Sequence, residues 1–238
     1  MPQLRGVKSP ERSTSLKARE SWHILGIISE FVEATERLSE IRPAVSIFGS
    51  ARIRPGHRWY DFTVDLARRL SDAGFAVISG GGPGIMEAAN RGAFEGSSAS
   101  VGLNIQLPHE QTGNAYQDVS VTFRHFFARK VAFAKYASAF IAVPGGFGTL
   151  DELAEVLTLI QTKMGRHIPL ILVDSAFWKG LIDWLRDSML ANGLISAADL
   201  DLIRVIDDPQ QVVEAIFDFY QARGFGPTAR EREVMLYL

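Results

Sequence analysis

The spacing of hydrophobic residues changes along the chain from a helical period to short apolar runs. Between residues 16 and 42, apolar side chains recur every three or four positions, which predicts an amphipathic helix that Pro43 ends. Beyond it, short apolar runs bounded by turn residues predict β-strands. These predicted strands lie at 44–48, 75–79, 100–105, 119–123, 139–143, 169–173 and 202–206.

Longer stretches with helical spacing separate most of the predicted strands. They lie at 58–73, 84–95, 124–136, 149–163, 177–192 and 209–222. Several strands, such as AFIAV at 139–143, are apolar at every position, which is typical of parallel strands buried on both faces. The sequence therefore predicts an α/β fold: a Rossmann-like, doubly wound, mainly parallel sheet with helices on both faces.

The same pattern divides the chain into four segments. Residues 1–20 are polar and contain two prolines, so we expect a flexible N-terminal arm there, followed by an N-terminal helix at 21–43. A single Rossmann-like domain is expected at 44–223, and a C-terminal tail at 224–238.

Composition and charge exclude several classes of function. The 25 basic and 27 acidic side chains give a net charge of −2, so no broad positive field is available for nucleic acid or an anionic membrane, and we expect neither as a partner. The absence of cysteine excludes disulfides and thiol nucleophiles, and the five histidines show no ligand spacing, so no metal site is expected.

The expected location is the cytoplasm. No apolar run approaches the roughly 18–20 residues that a membrane span needs. The polar N-terminus has no apolar core and is not a secretory signal. A mitochondrial presequence is the alternative, and Glu11 and Glu20 weigh against it.

Two glycine-rich segments follow predicted strands and open predicted helices. One is P-G-G-F-G-T at 144–149, with Gly145, Gly146 and Gly148; the other is G-G-G-P-G at 80–84. Backbone amides freed by such a turn, together with the positive end of a helix dipole, suit a phosphate group, whereas the structural alternative is a tight turn. Neither segment has the Lys-Ser/Thr ending of a P-loop or the G-x-G-x-x-G pattern of a dinucleotide site, so no cofactor is expected.

Candidate catalytic side chains lie close to these segments. Thr149 and Glu152 have the spacing of a helix capping box, but Glu152 also falls in the first turn beside the glycine loop, where a carboxylate can orient water or stabilise a cationic sugar. Arg129 and the adjacent Lys130 are read either as a solvated charged edge or, for Arg129, as a planar fork for a phosphate.

Together these residues resemble a known signature. Arg129-Lys130, followed by P-G-G-F-G-T-L-D-E at 144–152, resembles the paired R-K and P-G-G-x-G-T-x-x-E motifs of the Lonely Guy (LOG) family. The segments FGSAR at 48–52 and GGGPGIMEAANRGA at 80–93 are also similar to that family, as is PLILVDSAFWKGLIDWL at 169–185. The resemblance covers roughly residues 44–223.

The resemblance implies a phosphoribohydrolase without a cofactor, usually a homodimer or a higher homo-oligomer. Such an enzyme hydrolyses the N-glycosidic bond of nucleoside 5′-monophosphates, either AMP or cytokinin ribotides, to the free base and ribose 5-phosphate. It implies Arg129 and Glu152 as the catalytic pair. The implied or candidate substrate-binding residues are Gly49, Ser50, Gly81, Gly82, Glu110, Lys130, Gly145, Gly146, Gly148 and Thr149.

Two points stay open from the sequence, the preferred base and the presence of turnover, and one name is rejected. The segment GGGPGIMEAAN differs from the GGGxxGLM form of short plant-like members, so the preferred base is not fixed. The name "lysine decarboxylase" that such proteins often carry finds no support, because no lysine is placed to form a Schiff base with pyridoxal phosphate. The alternative function is a nucleotide-binding or sensing Rossmann module without turnover, which the same glycine loops would serve.

Overall fold

The computed structural model describes residues 10–107, 113–224, 228, 229 and 231–233. Seven β-strands run in chain order as β1 Ala44–Phe48, β2 Ala76–Ser79, β3 Ser100–Ile105, β4 Val119–Phe123, β5 Ala139–Ala142, β6 Leu170–Leu172 and β7 Ile203–Val205. The helices are α1 Pro10–Leu38, α2 Arg58–Asp72, α3 Ile85–Phe94, α4 Phe126–Tyr136, α5 Phe147–Gln161, α6 Ser175–Trp184, α7 Ala197–Leu200 and α8 Pro209–Arg223. A π-helical stretch, Leu185–Leu190, continues from α6.

The seven strands form one parallel sheet in the order β4-β3-β2-β1-β5-β6-β7. The predicted α/β fold is therefore confirmed. From β1 the chain builds outward to β4 and then returns to place β5 on the other side of β1. The strand order thus reverses at β1, and ligands of such sheets bind beyond the carboxyl ends of the strands at this point.

Two apolar cores cover the two faces of the sheet. Because side chains alternate along a strand, Ala44 and Phe48 of β1 join the core beneath α1, α4, α5 and α6, whereas Val45 and Ile47 join the core beneath α2, α3 and α8. The helices that carry Arg129 and Glu152, α4 and α5, consequently lie on the same face.

The N-terminal segment differs from its prediction. Helix α1 begins at Pro10, so the expected arm at 1–20 is wrong from that residue onward; residues 1–9 lie outside the described part. Proline fits a first helical turn because its missing N–H would have no partner there. The helix ends at Leu38, earlier than expected, and Pro43 disfavours helical geometry at the residue before it.

Other boundaries differ less. Helix α5 begins at Phe147 instead of 149, and α6 begins at Ser175, where the Asp174 carboxylate accepts a hydrogen bond from the backbone N–H of Phe177 at 2.9 Å. Helix α7 was not predicted. Within the described ranges, no helix combines the length and the apolar character needed to cross a membrane.

Substitution of glycine by alanine is expected to have opposite effects on stability at two helical positions. A Cβ at Gly92 of α3 would collide with the backbone carbonyl of Val64 on the neighbouring α2, whereas a Cβ at Gly180 of α6 would meet nothing within 4 Å. We expect Gly92→Ala to lower the free energy of unfolding by about 1–3 kcal/mol, because the two helices must move apart. We expect Gly180→Ala to raise it by about 0.5–1 kcal/mol, since alanine is the better helix former.

The free energies of unfolding of both variants and of the wild type, measured in urea, test these two expectations. Equal effects of the two substitutions would contradict the close approach of α2 and α3.

Candidate active site

A cleft of about 870 Å³ lies over the carboxyl ends of the central strands, at the reversal point beside β1. Its walls come from the loops that follow β1, β2, β3 and β5 and from the first turns of α4, α5 and α6. Arg129 and Glu152 both line it, together with the glycine loop at 145–148. The two candidate catalytic side chains therefore share one cavity.

The glycine loop presents backbone amides to the cleft. Gly146 is the N-cap residue of α5, and no side chain caps this helix. The amides of Thr149 and Leu150 donate to the Gly146 carbonyl at 3.0 and 3.1 Å. The amides of Phe147 and Gly148, in the first turn, have no helical partner, as is usual at a helix start. They form the kind of site that binds an anion such as a phosphate.

The glycines of this loop are needed for different reasons. A Cβ at Gly145 would collide with the hydroxyl of Thr149, so packing within the protein requires glycine there. A Cβ at Gly146 or Gly148 would meet nothing within 4 Å, and the φ of −98° at Gly146 is open to any residue. The protein itself does not need glycine at these two positions, whereas a ligand that approaches the backbone closely does.

Glu152 is a buried carboxyl group that faces the cleft. Because α5 begins at Phe147, Thr149 lies inside the helix, and the capping box considered for Thr149 and Glu152 is wrong. Glu152 is only 8% exposed, and no described residue donates a hydrogen bond to it. Burial raises the pKa of Glu152 to about 7, helped by Glu155 and Asp151 and opposed by Lys130 and Arg129.

Arg129 is fixed by groups of two neighbouring strands. Its Nε donates to the carbonyl of Leu103 at 2.7 Å and its Nη2 to that of Gly80 at 3.3 Å, and the guanidinium lies 5.2 Å from the centroid of the Phe133 ring. Burial lowers the pKa of Arg129, and the nearby Glu152 opposes this shift. A Cβ at Gly80 would lie 2.4 Å from both Arg129 Nη2 and Met86 Sδ, so glycine leaves room for these two side chains.

Lys130, expected beside the substrate, is not among the residues that line the cleft. Its Nζ lies 2.8 Å from both the Asp151 and the Glu155 carboxylates, so it ties α4 to α5 on either side of Glu152. Burial lowers the pKa of Lys130, but the two carboxylates outweigh burial and raise it. An amine held protonated in this way is a poor Schiff-base nucleophile.

The other expected substrate-binding residues divide into three groups. Gly49, Ser50 and Gly82 line the cleft with the 145–149 loop. Gly81 does not; its φ is +70°, and its carbonyl turns away to accept hydrogen bonds from the side chain of Gln117 and the backbone of Asn114. Glu110 lies outside the described residues.

A buried polar network beneath the second glycine loop was missed from the sequence. Asn90 accepts from the Ser79 hydroxyl at 2.6 Å and from the Asn114 amide at 2.9 Å, and Asn114 also donates to the Gly82 carbonyl at 3.0 Å. The network fixes the loop that holds Arg129. No local pattern signals it, because its members come from three separate segments of the chain.

Metal ligands are not gathered in the described part of the chain: no three His, Asp or Glu side chains there could hold an ion together.

Asn104 and Arg52 also line the cleft and were not among the expected site residues. Ser50 turns its hydroxyl oxygen to the backbone N–H of Arg52 at 3.1 Å, so it also stabilises the turn after β1.

Solved structures of similar fold include two molybdenum cofactor proteins. The chain is 21% identical to the molybdenum cofactor carrier protein of Chlamydomonas reinhardtii, with a TM-score of 0.55, over 75% of this chain and 98% of that one. It is 21% identical to the molybdenum cofactor binding protein of Rippkaea orientalis, with a TM-score of 0.52, over 74% and 96%. At this identity the likeness concerns the fold alone.

Sequence relatives are more informative. A protein of Oryza sativa subsp. japonica named cytokinin riboside 5′-monophosphate phosphoribohydrolase LOG is 34% identical over 165 residues, which are 68% of this chain and 66% of that protein. The relative named LOG3 in Arabidopsis thaliana is 30% identical over 168 residues, which are 68% of this chain and 75% of that protein.

A family model described as "Possible lysine decarboxylase" matches residues 86–216, more than half of the chain. Its range includes both the Arg129-Lys130 pair and the 144–152 motif. Taken with the LOG relatives, this match shows that the chain belongs to the Lonely Guy (LOG) family.

Proposed function

We propose that this protein hydrolyses the N-glycosidic bond of nucleoside 5′-monophosphates and releases the free base and ribose 5-phosphate. The observation that carries the proposal is the nearly buried carboxyl of Glu152, which has no hydrogen-bond donor among the described residues and faces a cleft shared with Arg129. Membership of the LOG family supports it, since the relatives are named phosphoribohydrolases.

In the proposed mechanism the 5′-phosphate binds at the start of α5. The amides of Phe147 and Gly148 donate to its oxygens, and the helix dipole favours its negative charge. The space beside Gly146 and Gly148 lets the phosphate approach the backbone. This contact fixes one end of the nucleotide, so the ribose extends toward Glu152 and Arg129.

Departure of the base then develops positive charge at the anomeric carbon. The base leaves with the electron pair of the glycosidic bond and takes up a proton from solvent. The ionised Glu152 stabilises the charge on the sugar and accepts a proton from the water that attacks the carbon, so the hydroxyl group stays on the ribose. Arg129 neutralises the phosphate or keeps Glu152 ionised, because a nearby guanidinium lowers the pKa of a carboxyl group. A carboxylate close to a bound phosphate weakens anion binding, so its presence favours catalysis over a module that only binds nucleotides.

The base is proposed to be adenine or a cytokinin-type derivative of it, as the names of the relatives suggest. Incubation with AMP, GMP, CMP, UMP and isopentenyl-AMP, followed by chromatography of the free bases, tests the activity and identifies the preferred base. Absence of any free base would favour the binding module. The homo-oligomeric state and the cytoplasmic location stay predictions.

Glu152→Gln tests the role of the carboxylate. We expect kcat to fall by about 10²–10⁴-fold, because glutamine keeps the shape but can neither carry the charge nor accept a proton. Base release by the wild type and the variant is the measurement, with the exposed Glu214→Gln of α8 as the matched control. Wild-type turnover in Glu152→Gln would contradict the assignment.

The same substitution is expected to stabilise the protein at higher pH. With a pKa of about 7 instead of 4.5, Glu152 keeps its proton in the folded state after the unfolded chain has lost it. Stability therefore falls as pH rises from about 4.5 to 7. At about 1.4 kcal/mol per pKa unit, the loss is on the order of 3 kcal/mol, which Glu152→Gln avoids.

Urea unfolding of wild type and Glu152→Gln at several pH values from 4.5 to 8 measures this effect. The difference in free energy of unfolding should move in favour of the variant as pH rises. A difference that stays constant over the range would mean that Glu152 is already ionised at low pH in the folded protein.

Lys130 is expected to set the pH range of activity. If the ionised Glu152 is required, kcat/KM of the wild type rises with pH through about 7. Lys130→Met removes the largest charge that lowers the pKa of Glu152, so this acidic limb should move to higher pH. For each pH unit by which the acidic limb moves, kcat/KM falls about tenfold at pH values below the pKa of Glu152, and it is unchanged at pH values well above that pKa.

The pH profiles of wild type, Lys130→Met and Lys130→Arg check this prediction. Lys130→Arg keeps the charge and should keep the wild-type limb. A loss of activity in Lys130→Met that is equal at every pH would instead indicate direct contact of Lys130 with substrate.

A further inference from the structure

The N-terminus of α4 is capped by a carboxylate from another helix. Glu30 of α1 is 8% exposed, and its two oxygens accept hydrogen bonds from the backbone N–H groups of Arg124 at 3.1 Å and His125 at 3.3 Å. Nδ1 of His125 also lies 3.0 Å from Glu30. His125 is the N-cap residue of α4, but its own side chain makes no capping bond. The cap is therefore supplied by α1.

The charge distribution of α4 explains why this cap matters. The first turn contains no acidic residue, Arg124 precedes the helix, and Arg129 and Lys130 follow five and six residues after Arg124. Positive side chains near the N-terminus of a helix oppose its dipole, whereas a carboxylate there stabilises it. Glu30 supplies that negative charge, and its hydrogen bonds to backbone amides are of the strong, charge-assisted kind.

This cap is directly connected to the catalytic arginine. The backbone N–H of Arg129 donates to the carbonyl of the capped residue His125 at 3.3 Å, so Arg129 lies one helical turn from the cap. Helix α1 is also joined to β4, the strand before α4, by a hydrogen bond from Arg37 to the Ser120 carbonyl. A shift of α1 would move the segment from which Arg129 reaches the cleft.

We propose that Glu30 is a positioning residue of the active site: it fixes the N-terminus of α4 and thereby holds Arg129 in the cleft that it shares with Glu152. The proposal rests on the function proposed above. The family model matches residues 86–216, and Glu30 lies outside this range. The contact between Glu30 and α4 therefore comes from a segment that the family model does not cover.

Three variants of α1 test the proposal kinetically. Glu30→Ala removes the cap, Glu30→Gln keeps one acceptor oxygen without the charge, and Glu36→Ala changes an exposed glutamate of the same helix as a control. We expect Glu30→Ala to lower kcat for nucleotide hydrolysis by about 10–100-fold, since small misplacements of catalytic groups have effects of this size. Glu30→Gln should lose less, and Glu36→Ala should match the wild type.

The pH profile separates positioning from a loss of stability. If Arg129 moves away from Glu152, it no longer lowers the pKa of that carboxyl, and the acidic limb of kcat/KM moves to higher pH. A folded Glu30→Ala with wild-type kcat/KM and an unchanged limb would overturn the proposal even if its melting temperature fell. An equal effect in Glu36→Ala would overturn it as well.

A crystal structure of Glu30→Ala gives a readout that needs no turnover. Displacement of Arg129 from the carbonyls of Leu103 and Gly80 supports the proposal, and retention of both bonds overturns it. If the wild type hydrolyses no nucleotide, the proposed function fails on its own, and the position of Arg129 in this variant still decides the role of Glu30.

Discussion

The interaction on which the site depends is the one between the carboxyl of Glu152 and the cations of α4. Burial raises the pKa of Glu152, and Lys130 and Arg129 oppose this shift, so that the pKa is about 7. The relative position of α4 and α5, which lie on one face of the sheet, therefore matters. Lys130 of α4 forms ion pairs with Asp151 and Glu155 of α5, and the carbonyls of Leu103 and Gly80 accept hydrogen bonds from Arg129.

The glycine loops serve this pair in different ways. At Gly80 and Gly145 a side chain would collide with Arg129 or Thr149, so glycine is explained by packing within the protein. At Gly146 and Gly148 nothing in the protein occupies the space of a Cβ. Motif glycines are thus not equivalent evidence for a ligand, and only the second kind points to an anion beside the helix start.

The sequence predicts the sheet well because short runs rich in apolar residues alternate with segments of helical spacing; β1, β3 and β4 have the predicted bounds. It also predicts that Arg129 and Glu152 line the same cleft, through the family motif and the switch-point rule. Sequence-based prediction fails where tertiary contacts determine the role of a residue. The sequence around Lys130 is the same whether its amine contacts a ligand or two carboxylates. Helix α5 begins two residues earlier than predicted, which removes the capping box. This start and the Asn90 network likewise depend on contacts with distant segments.

The chemistry of the cleft also bears on the description of the family as a possible lysine decarboxylase. Schiff-base formation requires a neutral amine, yet Lys130 is held between two carboxylates that raise its pKa, and in the described chain no lysine lines the cleft. Glu152 has the opposite arrangement: its pKa near 7 lets a modest change of neighbouring charge ionise it. A buried carboxyl with this pKa lowers stability at neutral pH, and the proposed function assigns it a use, the removal of a proton from water beside a developing sugar cation.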